Sequence, residues 1–227
     1  MRRLVALAAS AAIVVAAGCS DLPALSVPAP DPTAPASVPP PAAVAAAQAQ
    51  LARLRVAPAR PGGYQRTRDF GPAWSVDFDR NGCGTRDDVL RRDLTDVRLR
   101  GRCTVVAGTL ADPYTGRTVA FRKADADEVQ IDHVVALAAA WALGARDWPQ
   151  RQRERFANDP VNLLATSGAA NQGKGDDTPS EWLPRPAYRC AYAVRWVQVA
   201  DRYRLAVTPA DRATLASLLR ACPAGRR

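Results

Sequence analysis

Histidine and methionine are almost missing from this sequence: each occurs once in 227 residues, as His133 and Met1. One histidine excludes metal sites built from several imidazoles, and the absence of any CxxC spacing leaves little basis for a zinc clip. Aromatic residues make up only 6% of the chain, so tryptophans such as Trp74, Trp141, Trp182 and Trp196 are expected in the core rather than as base-stacking platforms. Long hydrophobic runs are scarce as well. The longest, Leu4–Ala17, is too short to span a bilayer comfortably, and behind Arg2 and Arg3 it has the length of an export-signal core.

That run ends in Ala16-Ala17-Gly18-Cys19, which resembles a bacterial lipobox. Residues 1–18 are therefore expected to be a signal peptide, with Cys19 as a lipidated new N-terminus; cleavage without lipidation is the alternative. Residues 19–45 are rich in proline and alanine. Proline removes backbone donors and favours extended chain, so this stretch reads as a semi-stiff stalk. The head is then residues 46–227. Apart from Cys19 it holds an even set, Cys83, Cys103, Cys190 and Cys222, as expected of a disulfide-stapled exported domain. Four cysteines allow three pairings, and their positions favour Cys83–Cys103 and Cys190–Cys222. The formal charge of +9 falls to +7 once Arg2 and Arg3 leave with the signal (9 − 2). A basic exported head suits an anionic partner, with nucleic acid first and anionic lipid or cell-wall polymer second.

The pattern within the head predicts an α+β fold. A packing helix carries Leu51 and Leu54. Thr85 reads as the N-cap of a helix over "VLRRDL", with Asp88 in its first turn. Residues 97–122 alternate as three short antiparallel strands, with a turn at Asp112–Gly116 between the last two. A brief strand Val129–Ile131 leads into Asp132-His133. "VVALAAAWALGA" reads as a helix ended by Gly144, and "WPQRQRERFAND" as a polar one whose Arg151, Arg153 and Arg155 either line a phosphate track or face solvent. "VNLLATS" is a strand, "GAANQGKGD" a tightly turned polar segment, and two helices close the chain. Asp77, Asp79 and Asn81 resemble the start of a calcium loop, although a turn near the site, with Arg86 facing substrate or packing on Asp79, is the expectation.

A strand ending in Asp132-His133, a later one introduced by Asn162 and then Asn171 nine residues on is the order of a ββα-metal finger. The ordered set "DHVVAL…NLLATSGAANQGKGD" resembles HNH-type nucleases whose motif starts Asp-His and ends in Asn. "FGPAW", "NGCGTRDDVLRRDL", "FANDPVNLLA", "EWLP" and "CAYAVRWVQV" are similar to secreted actinobacterial HNH-family proteins related to the C-terminal domain of GmrSD restriction endonucleases. The resemblance runs from about Tyr64 to Cys222. It implies an HNH (His-Me finger) core with additional short strands and packing helices, and an extracytoplasmic metal-dependent endonuclease, lipid-anchored or released, acting on nucleic acid with DNA foremost. It assigns His133 as general base, with Asp132 and Asn171 holding one divalent ion, Mg²⁺ or Mn²⁺. Asn162 is expected to fix the histidine loop through backbone hydrogen bonds, and Lys174 to contact phosphate. The competing reading is a non-catalytic surface lipoprotein that binds nucleic acid or another polyanion on the same scaffold. Oligomeric state is not legible in the sequence.

Overall fold

The computed structural model describes residues 38–74 and 77–223. The expected signal peptide, Cys19 and residues 19–37 of the stalk lie outside the described residues. Helix α1 (Pro41–Arg53) starts inside the stretch expected as stalk, so residues 41–45 are its first turn. Proline suits that position because its fixed φ is helical and its missing N–H is not needed. The helix buries Val44, Ala47 and Leu51, packs on the two C-terminal helices α7 (Arg189–Tyr203) and α8 (Pro209–Arg220), and joins Asp201 through Gln50 and Arg53.

Between them the chain runs through α2 (Arg66–Phe70), α3 (Thr85–Asp93), β1 (Leu94–Arg100), β2 (Thr104–Ala111), β3 (Thr118–Arg122), a 3-10 turn (Lys123–Glu128), β4 (Val129–His133), α4 (Leu137–Ala142), α5 (Gln150–Asn158), β5 (Leu163–Ser167) and α6 (Gly168–Lys174). The described residues thus form a mixed α+β fold, with an antiparallel meander, β1-β2-β3, and an antiparallel pair, β4-β5. In the pair, Asp132 stands opposite Leu164 and His133 opposite Leu163. No helix among the described residues is long and apolar enough to cross a membrane.

Two hydrophobic clusters result, and β5 lies between them. Leu163 and Ala165 join Val129 and Ile131 of β4 in a cluster with α3 and the meander, built on Leu90, Leu94, Leu110 and Phe121. Leu164, on the opposite face, joins the helical cluster around Phe156, Tyr192 and Trp196. This is the period-two alternation of a strand, used here to serve two cores.

Three local expectations need correction. The helix after His133 starts only at Leu137, because the amides of Val134 and Val135 are bound by the Asn162 backbone carbonyl and side-chain oxygen, in place of a helical turn. "GAANQGK" is helix α6 and not an irregular turn: Ser167 caps it by accepting from Ala170 N. Its glycine-rich start is required by packing, since a Cβ on Gly168 would come 2.1 Å from the Asp127 carbonyl oxygen. Gly84, not Thr85, is the N-cap of α3.

The disulfides form as expected. Cys83–Cys103 ties the chain before α3 to the start of β2, and Cys190–Cys222 ties the start of α7 to the end of α8. Loop-entropy arguments assign the second, which spans 32 residues, a stabilisation of about 3–4 kcal/mol. Replacing Cys190 and Cys222 together by serine is expected to lower the unfolding free energy by about 2–4 kcal/mol in a denaturant titration; an unchanged midpoint would show that α1 alone secures this helical corner.

Candidate active site

The last two residues of β4 open onto a cleft of about 170 Å³, lined among others by Tyr64, Arg66, Asp132, His133, Asn171 and Asp176. It has space for a phosphate group and its hydration.

His133 is oriented by two contacts. Its Nε2 lies 2.9 Å from the carbonyl oxygen of Ala157, at the end of α5. A carbonyl can only accept, so Nε2 carries the proton and Nδ1 keeps its lone pair. The ring face is covered by Trp74, with centroids 5.8 Å apart and planes within 6° of parallel. The residue is only 7% exposed. That burial disfavours the charged ring and pushes its pKa down to about 3, against the raising effect of the Ala157 hydrogen bond and with further lowering from Arg66 and Lys174.

Asp132 is buried with both carboxylate oxygens engaged. Oδ2 accepts from the Tyr114 hydroxyl at 2.5 Å, and Oδ1 pairs with the Lys174 ammonium at 2.9 Å. Burial raises the Asp132 pKa, while Lys174 and Tyr114 act in the opposite direction. Asn171 donates from Nδ2 to Gln130 Oε1 at 2.8 Å, which leaves its Oδ1 for the cleft. Asn162 is fully buried. Its Oδ1 accepts from Val135 N, its Nδ2 donates to Val135 O, and its backbone carbonyl accepts from Val134 N, so it secures the turn that follows His133 without reaching the cleft.

Thus Asp132, His133 and Asn171 line one cleft, and two other expected residues do not line it. Lys174 is not a surface phosphate contact: its side chain has no exposed area, and Nζ donates to Asp132 and to the His133 carbonyl, each at 2.9 Å. Arg86 does not line the cleft either. Half-buried, it donates to the carbonyls of Ala126 and Val129 and braces the start of β4. Arg153 similarly bonds the carbonyls of Asp69 and Trp148, and Arg155 lies over the Phe78 ring, so these two do not form a phosphate track. The Asp77–Asn81 segment is a closed turn: Asp77 and Asp79 accept from backbone amides of Asn81 and Gly82, and Asn81 also reaches Asp88, the twelfth residue counted from Asp77. No group of three His, Cys, Asp or Glu side chains among the described residues is arranged to hold a metal ion.

Sequence reasoning missed Tyr64, Arg66 and Asp176. The first two stand in "PGGYQR", whose proline and glycines read only as the stop of the preceding helix. Asp176 follows Lys174 so closely that the motif itself offered it.

The loop from α5 to β5 is held from behind. Arg92 donates to the carbonyls of Pro160 and Leu163, and Arg195 to those of Pro160, Val161 and Leu163. Asp93 pairs with Arg92 and accepts from Ala165 N, while Asp159 accepts from the Tyr203 hydroxyl.

The family model for the C-terminal domain of GmrSD restriction endonucleases matches residues 84–218. An uncharacterized secreted protein of Arthroderma benhamiae is 41% identical over 202 residues, covering 87% of this chain and 93% of that protein. No solved structure matches.

As the only histidine, His133 can be followed by its ring-proton resonances without assignment. No protonation step is expected between pH 5 and 8 in the folded protein; a step near 6.5 would mean a solvated ring. Because its folded pKa lies below the unfolded value of 6.5, the unfolded chain takes the proton first. This residue therefore withdraws stability as pH falls from about 6.5 towards 3.

Proposed function

The chain belongs to the family of GmrSD restriction endonuclease C-terminal domains, and from that premise we propose that it is an exported metal-dependent endonuclease of the HNH type, hydrolysing phosphodiester bonds in nucleic acid, foremost DNA. The observation that carries the reading is His133: Nε2 is tied to Ala157, and the Nδ1 lone pair belongs to a ring that shares one cleft with Asp132 and Asn171. The order β4, β5, α6 around that cleft is what a ββα-metal unit requires.

In this reading Nδ1 takes a proton from a water as its oxygen attacks phosphorus; the bond from phosphorus to the 3′ oxygen breaks, and that oxygen is reprotonated from solvent. Burial keeps the free ring neutral, and the negative charge of an arriving phosphodiester stabilises the imidazolium as it forms. Trp74 and the Ala157 carbonyl hold the ring so that Nδ1 stays in one direction. Lys174 fixes the His133 carbonyl and Asn162 the backbone that follows it.

The donor set fits a hard cation. A carboxylate offers about four acceptor positions, and Asp132 uses two of them, on Tyr114 and Lys174. Asn171 Oδ1 and Asp176 add oxygen to the same cleft. Asp132 and Asn171 would hold one Mg²⁺ or Mn²⁺, largely hydrated. The chemistry such an ion supplies is charge stabilisation at the phosphoryl group and the leaving oxygen.

Two disulfides favour an oxidising compartment, and the Arthroderma relative is named as secreted; both support a place outside the cytoplasm, lipid-anchored at Cys19 or released. One observation favours the non-catalytic alternative: the Asp132 carboxylate is already neutralised by Lys174.

Plasmid incubated with the purified protein and Mg²⁺ or Mn²⁺ is expected to be nicked or cut. His133→Ala should slow this by about 10²–10⁴-fold, the usual contribution of a general base, and leave binding intact in a mobility-shift assay. A wild type that binds but stays inactive with Mg²⁺, Mn²⁺, Ca²⁺ and Zn²⁺ would support the binding protein instead.

A further inference from the structure

A phosphodiester brings a negative charge into the cleft, and the structure removes the two cations that the sequence offered to meet it. Lys174 is buried against Asp132 and the His133 carbonyl, and Arg86 is engaged by the carbonyls of Ala126 and Val129. Among the described residues lining the cleft, the remaining cation is Arg66. It is exposed, and it makes no hydrogen bond or ion pair among the described residues. It nonetheless acts electrostatically on both Tyr64 and His133.

The surroundings of Arg66 keep it in that condition. Asp69, on the same short helix, would be its natural partner, but Asp69 is 4% exposed and its carboxylate is taken by the Arg68 guanidinium and the Gln65 amide. The helix itself is firmly mounted. Phe70 is 1% exposed and packs its ring against Tyr64, Trp141 and Phe156. A guanidinium on a fixed support, unpaired and beside a general base, has the planar donor fork that matches two phosphate oxygens.

We propose that Arg66 is the phosphate-binding residue of this site, its guanidinium contacting the non-bridging oxygens of the scissile phosphodiester and setting phosphorus towards Nδ1 of His133. The Tyr64 hydroxyl stands beside it as a donor that stays protonated, its pKa raised to about 12 chiefly by burial. This assignment rests on the reading of the site as a phosphodiesterase, but its test separates the two.

The full chain is compared as wild type, Arg66→Ala, Arg66→Gln and Arg66→Lys. Cleavage of a fluorescein-labelled duplex oligonucleotide with Mg²⁺ gives kcat and KM. Binding of the same duplex in a His133→Ala background with EDTA, followed by anisotropy across salt concentrations, gives the number of phosphate contacts. Arg66→Ala and Arg66→Gln are expected to lower kcat/KM by about 10- to 100-fold, and Arg66→Lys to restore part of it. The slope of log affinity against log salt should flatten by about 0.9, one duplex phosphate contact. Thermal melting should not move, since Arg66 makes no hydrogen bond or ion pair with any described residue. Unchanged kcat/KM and salt slope in Arg66→Ala, with an active wild type, overturn the assignment and leave the nuclease reading in place. A wild type that binds through Arg66 without cutting overturns the nuclease reading and, with it, a scissile phosphodiester at Arg66, while keeping Arg66 as the phosphate contact. A wild type that neither binds nor cuts overturns both.

Discussion

Lys174 carries an ammonium group into the interior at the end of α6, and much of the site is arranged around the cost of that charge. Its side chain has no exposed surface, and its partners are the Asp132 carboxylate and the His133 carbonyl. Removing one member of such a buried pair leaves an uncompensated charge, at a cost of about 3–5 kcal/mol. The same ammonium joins helix to strand at adjacent residues, so α6 cannot shift along β4 without breaking a hydrogen bond and an ion pair together. Tyr114 closes the far side of Asp132 and is itself set by Asp112. That carboxylate accepts from the Tyr114 amide and from the hydroxyls of Thr115, Thr166 and Ser167. A hairpin turn of the meander is thereby bound to the corner where β5 becomes α6.

A second constraint is backbone accounting. The segment between α5 and β5 has no regular partner for its carbonyls, and buried carbonyls left unpaired are costly. Arg92 and Arg195 supply donors for those of Pro160, Val161 and Leu163 from two different helices. The Ala157 carbonyl, one turn earlier, is thereby left to receive the histidine. Asn162 performs a similar service on the other side, where the chain leaves β4 before a helix has begun. Polar side chains that never touch the cleft thus decide where its histidine stands.

The strands and both disulfides were legible because their signals are local: alternation of burial with a period of two, turn residues between runs, and paired cysteines bracketing single units. Helix α6 was not, since glycine and asparagine are poor helix formers and only the Ser167 cap and the packing of Gly168 against Asp127 select the helix. The convergence of Asp132, His133 and Asn171 followed from their order along the chain. The misplaced residues, Lys174 and Arg86, share a cause. A basic side chain in a motif announces its charge but not its exposure, and both were drawn inward by backbone carbonyls that sequence does not display. Arg66 escaped for the converse reason: it is functional in position because its neighbour Asp69 is occupied, and occupancy is a property of the folded chain.

The placement of β5 between two cores has a bearing on fidelity of folding. Leu163 and Leu164 serve different clusters, and the residue before them, Asn162, positions the turn after His133. A pairing slip of one residue between β4 and β5 would send each leucine into the wrong cluster and draw Asn162 away from Val135 in the same movement. Misregistered chains therefore cannot keep a well-packed interior while carrying a misassembled cleft. The hydrophobic interior thereby acts as a proofreader for the cleft at its edge.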